Sequence, residues 1–192
     1  MPKDDDQHVD RTFTARTVAE EGLHPATFEG CRFEGCDLSG RSLNGFRLID
    51  CTFTACNLSN ATLTGSTWNE VRLVDCQAMG LAFGDAHSAP FLVGFEGCRL
   101  DYCSFLKSPL RSAAFRRSSL LEADFTGADL REACFAMSIL TGAVFEDCNL
   151  EKCDFREAID FGIEPSRNRM RGARFSPEGL GGLLRRYGLN IG

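Results

Sequence analysis

Ten cysteines stand in this chain of 192 residues, and eight of them form pairs separated by four residues: Cys31 and Cys36, Cys51 and Cys56, Cys98 and Cys103, Cys148 and Cys153. Close thiols are zinc ligands in one setting and disulfide partners in another. Histidines would complete a metal site or act as bases. The three here, His8, His24 and His87, are scattered, with no nucleophile or carboxylate arranged around them. Phosphate-loop and dinucleotide fingerprints are also missing. No catalytic, cofactor-binding or metal-ligating set emerges, so the cysteines need another explanation.

The elements that carry them supply it. Counting in fives from Phe13 gives Val18, Leu23, Phe28, Phe33, Leu38, Leu43, Leu48, Phe53, Leu58, Leu63, Trp68, Leu73, Ala78 and Phe83. After a slip the count resumes at Phe95 and alternates Leu and Phe without error to Phe155. Two residues before these centres runs a second register of small side chains, which holds nine of the ten cysteines alongside Ala61, Ser66, Ala123, Ala128 and Ser138. Cys134 is the exception, one residue before its centre. Cysteine therefore serves as a small buried residue exchangeable with Ala and Ser.

A period of five is neither the helical 3.6 nor the strand period of two. It fits a chain that turns a corner every five residues and shows two residues of each short strand to the inside. Four sides close a square coil of about 20 residues, and coils stack as parallel strands about 4.8 Å apart. Thiols five apart then lie on adjacent walls of a packed core rather than around one ion. Cys36, Cys56 and Cys76 should stack on one wall, and Phe105, Phe125 and Phe145 should face Phe115, Phe135 and Phe155 across the core. Such a core leaves no room for a substrate.

With "EADFTGADLREACF" (Glu122 to Phe135) and "CNLEKCDF" (Cys148 to Phe155), the chain resembles the pentapeptide-repeat proteins, whose consensus is A(D/N)LXX. The resemblance implies an all-β fold, a right-handed quadrilateral β-helix. The expected organisation is an acidic flexible tail over 1–10, a first stack over 11–83, a break over 84–94, a second stack over 95–175, and a capping or dimerisation segment over 176–192. That last segment reads as a short C-terminal α-helix: Ser176 can cap it, Pro177 suits its first position and Gly188 can end it. Leu180, Leu183, Leu184 and Tyr187 share one stripe, and with Ile191 they form the candidate dimer interface. The break holds the candidate loop contacts His87, Pro90 and Phe91.

The slipped beat, the decayed last coil with "ARFS" and the apolar end "LNIG" resemble the topoisomerase-protecting group, which includes the Qnr-type quinolone-resistance proteins. That resemblance implies a homodimer joined through its C-terminal helices, DNA gyrase as partner with topoisomerase IV as a second, and DNA mimicry as the mode of binding. The competing expectation is a structural or adaptor rod for another protein.

Charge bears on both. The formal net charge is −6, which disfavours direct nucleic-acid binding. The segment 161–192 is nevertheless basic, with six Arg against two Glu. A dimeric rod of roughly 75–80 Å would face duplex DNA carrying about 45 charges, several-fold more than twice −6. Any mimicry must therefore be local. The candidate partner-binding acids are Asp101, Glu122, Glu132, Glu146, Asp147, Glu151 and Glu157. A continuous acidic stripe would favour the mimic, and an evenly mixed surface the adaptor. No membrane span or signal peptide is expected, which points to the cytoplasm.

Overall fold

The computed structural model describes residues 7–86 and 92–189. The chain winds as a square solenoid of parallel strands. One wall, wall I, carries a six-stranded sheet of β2 (Thr12–Thr14), β4 (Arg32–Glu34), β6 (Thr52–Thr54), β8 (Val71–Val74), β9 (Val93–Glu96) and β10 (Ala114–Arg116). Wall IV carries β1 (Gln7–Val9), β3 (Thr27–Glu29), β5 (Arg47–Ile49) and β7 (Thr67–Asn69). Walls II and III, and the second half of the solenoid generally, are held by single parallel bridges such as Asp37 to Asn57 and Asp124 to Val144.

Register explains the period. Phe13 pairs with Phe33 and Phe33 with Phe53, so each coil returns after four pentapeptides. At the tight corners the centre's carbonyl accepts from the amide three residues on, as in Leu130 and Ala133 at 3.0 Å. Such a turn needs φ > 0 at its third residue, and Glu132 there has φ 62°. Glycine takes that place in other coils. At Gly80 (φ 68°) a Cβ would also come within 2.6 Å of Asn60 Oδ1 in the coil before.

Among the described residues nearly all centres and small positions are buried through both stacks, so side chains occupy the axis. Phe105, Phe125 and Phe145 stack on wall III with centroids 4.8 and 4.9 Å apart. Phe115, Phe135 and Phe155 stack opposite on wall I at 4.9 and 5.0 Å. The two ladders meet edge to face, as in Phe125 to Phe135 at 89°, the geometry that aromatic quadrupoles prefer. In this second stack buried leucines line walls II and IV.

Four features differ from the expectations. Gln7–Val9 is a strand paired with Thr27–Glu29, so residues 7–9 belong to the solenoid rather than to a tail. An α-helix, α1 (Ala15–Glu21), replaces a strand wall in the first coil. Thr14 and Thr17 close a capping box around its start, and Val18 still packs inward, which is why the five-residue beat hides it. Asp160 and Pro165 fall on the beat, but Phe161 and Ile163 fill the core instead. The C-terminal segment is wound as 3-10 helix over Glu178–Leu183 and Arg185–Tyr187 rather than as α-helix. Gly179, Gly181 and Gly182 weaken an α-helix, and Gly179 and Gly182 bring the backbone against Phe161. Ser176 Oγ accepts from Gly179 N at 3.2 Å, and Gly188 (φ 60°) ends the segment.

The break is small. Corner amides normally donate to the carbonyl nineteen residues on, as Gly45 does to Thr64, but Gly65 donates to Asp85, twenty on, and Asp75 to Glu96, twenty-one on. One extra residue has therefore entered by Asp85 and a second by Val93, which pairs with Val71, and the walls stay in phase on either side.

Candidate functional site

The cysteines are placed by the coil. Cys36, Cys56 and Cys76 stack on one wall, with the amides of Cys36 and Cys56 each donating to the next thiol at 3.4 Å. Their thiols donate to Phe13 O, Phe33 O and Phe53 O in the preceding coil at 3.3–3.4 Å. Ser138 makes the same bond to Phe115 O at 3.1 Å, and Asn168 reaches Phe145 O at 2.9 Å. Thiol, hydroxyl and amide are interchangeable donors here. All ten cysteines are unbridged, and only Cys134 is partly exposed. Burial pushes the Cys51 thiol up to about 11 and those of Cys103 and Cys148 up to about 12, the reverse of a reactive thiolate. Among the described residues no cluster of His, Cys, Asp or Glu could hold a metal ion, and no helix is long and apolar enough to cross a membrane.

The seven candidate acids are not gathered together. Asp101 is 2% exposed. It accepts from Leu121 N at 3.1 Å and from the Ser119 hydroxyl, and it lies 3.5 Å from Arg99. That carboxylate ties two coils together and is not offered to a partner. Glu132 pairs with Arg111 at 3.1 Å and with Lys152 at 4.0 Å, and Glu146 pairs with Arg167 at 2.7 Å. Glu122 and Asp147 sit at corners with φ 52° and 54°, and Glu151 and Glu157 lie on other sides of the rod. None has another acid one coil above or below it; Arg131 and Arg171 flank Glu151, for example. Around these seven acids no phosphate-like column forms along the axis.

At the C-terminal end, Leu183 packs against the core while Leu180, Leu184 and Tyr187 are exposed. Arg185 pairs with Asp160, and Arg186 approaches Glu164 at 3.5 Å. The segment is therefore a lid with an apolar outer side. Ile191, His87, Pro90 and Phe91 lie outside the described residues.

The sequence reading missed the burial of Asp101. Ser119, twenty residues after the corresponding Arg99, was the available signal, because a hydroxyl stacked one coil on can bond a carboxylate.

Solved structures share this architecture. Trypsin-treated QnrB1, described as a plasmid-mediated fluoroquinolone resistance protein, superposes with a TM-score of 0.65 at 18% identity over 97% of each chain. Full-length QnrB1 gives 0.62 at 17% identity, over 95% of this chain and 100% of that one. HetL, a pentapeptide repeat protein involved in heterocyst differentiation regulation from the cyanobacterium Nostoc sp. strain PCC 7120, gives 0.42 at 17% identity over 90% and 85%. No curated protein sequence matches. The model of the pentapeptide repeat region matches residues 26–92, and that of pentapeptide repeats (8 copies) matches 110–147 and 138–159. On this repeat, its coil and its filled core, the chain belongs to the pentapeptide-repeat family.

Proposed function

We propose that the protein is a non-catalytic rod that binds DNA gyrase and shields it from a fluoroquinolone-like or natural poison. The observation that carries this reading is the end-to-end agreement of its coil with QnrB1. The filled core, leaving the outer walls as the working surface, is consistent with it. Binding would act through rod shape and local contacts, since the candidate acids form no column. Topoisomerase IV is the expected second target, and the exposed Leu180, Leu184 and Tyr187 are the proposed contact between two copies.

The absence of a column among the candidate acids favours a second reading, an adaptor rod for a different protein partner. Gyrase supercoiling assays with the purified protein titrated in, with and without ciprofloxacin, decide between them. Restored supercoiling in the presence of drug supports the first reading. No effect in either arm, with gyrase from the source organism, removes it in favour of the second.

A further inference from the structure

Wall I has an open groove of about 550 Å³ where the two stacks join. Its floor is the outer face of β8, β9 and β10, whose strands pair Arg72 with Gly94 and Gly94 with Ala114. Outward positions normally carry a side chain that covers the sheet. At Gly94 nothing lies within 4 Å of where a Cβ would stand, and Ala114 adds only a methyl. Leu92, 41% exposed, supplies an apolar rim.

Charge around this groove is unbalanced. Glu96 is paired with Arg117, and Arg111 with Glu132. Arg72 and Arg116 are exposed and make no ion pair among the described residues. Arg72 and Arg116 thus stand outside any ion pair, beside Glu70 and beside Glu96, which is in register with Arg116 and already engaged by Arg117, on a molecule whose net charge is −6. They sit two coils apart, about 10 Å along the axis at ~4.8 Å per coil, with the bare floor of Gly94 and Ala114 stacked above Arg72 and Glu96 below Arg116.

We propose that this groove docks an acidic, small-residue segment of a protein partner, with carboxylates on Arg72 and Arg116 and the segment's backbone over Gly94 and Ala114. Guanidinium forks recognise carboxylates in a directed, two-point manner. The open floor lets the chain approach closely enough for both to engage, while Leu92 takes an aliphatic side chain. A long polyanion is disfavoured by the acidic body around the groove. This surface is separate from the lid and does not depend on the partner being gyrase.

Fluorescence anisotropy of a labelled alternating Glu-Ala peptide of about eight residues against the whole protein tests this directly. Binding should weaken about tenfold or more in Arg72→Ala/Arg116→Ala. It should weaken likewise in Ala114→Leu, which fills the floor from outside and leaves the core untouched. The control Arg41→Ala/Arg47→Ala, on other walls, should bind as the wild type does, and circular dichroism should show all variants folded. No binding, equal loss in the control, or tighter binding of a labelled oligonucleotide through the same two arginines would each overturn the proposal. None of these outcomes depends on gyrase, so failure here leaves the supercoiling result to be judged alone.

Discussion

At the strand-like corners the centre's carbonyl, already paired in the parallel ladder, also accepts from the thiol of the next coil. This gives Cys56 a measurable role. Cys56→Ala removes this second donor to Phe33 O and should cost about 0.5–1.5 kcal/mol, the net worth of a typical hydrogen bond. Cys56→Ser should cost less, and urea melts that rank Ala at or above Ser would refute the donor role. Asp154 gives a pH signature. The hydrogen bond from Arg156 holds its carboxyl below the usual aspartate range, against some burial, with Arg174 adding to the effect. Its stabilisation is thus complete above the unfolded value near pH 4 and is lost as pH falls through the lower folded value. Asp154→Asn should flatten that part of the acid stability curve; an unchanged curve would show that the pair contributes nothing. At this scale the repeat positions were legible, because Cys, Ala and Ser share one register. The fate of Asp101 was legible only through the twenty-residue register, because its partners Ser119 and Leu121 come from the next coil.

Elements at the two ends obey local rules that the beat conceals. Val18 keeps the five-residue spacing inside α1, so periodicity alone reads a strand where the Thr14 cap begins a helix. At the other end, helical spacing of leucines suggested an α-helix, yet the glycines that bring the backbone against Phe161 wind it more tightly. A Cβ on Gly182 would lie 2.6 Å from Phe161 O. Gly182→Ala should therefore lift the lid and destabilise by about 1–3 kcal/mol, with proteolysis beginning at the C-terminus. A variant as stable and protease-resistant as the wild type would show that the close packing is not needed. Leu183 belongs to this lid, so it is a poor probe of self-association. Leu180→Asp/Leu184→Asp is the cleaner one: it should leave the β-sheet signal intact and halve the mass measured by light scattering if two copies meet here. An unchanged mass would move the contact elsewhere.

The whole molecule is a stack in which each coil touches its neighbours, so its stability is a sum of adjacent interfaces. In the second stack the edge-to-face ladders make the sum depend on phase: phenylalanine on walls I and III, leucine on II and IV. Removing residues 115–134, a full coil, should leave a shorter folded rod. Removing 115–129 would set phenylalanine columns on leucine columns and should destabilise the protein or make it aggregate; equal melting of the two deletions would contradict this phase rule. Because the coil at the break absorbs two residues without losing phase, a residue's number works as an address. Past the break one subtracts two; the remainder on division by twenty then names the wall and the quotient the height. Two labels or two charged groups can be set on a chosen side at a chosen separation by arithmetic alone, and a partner that reads such spacings would be reading the sequence count directly.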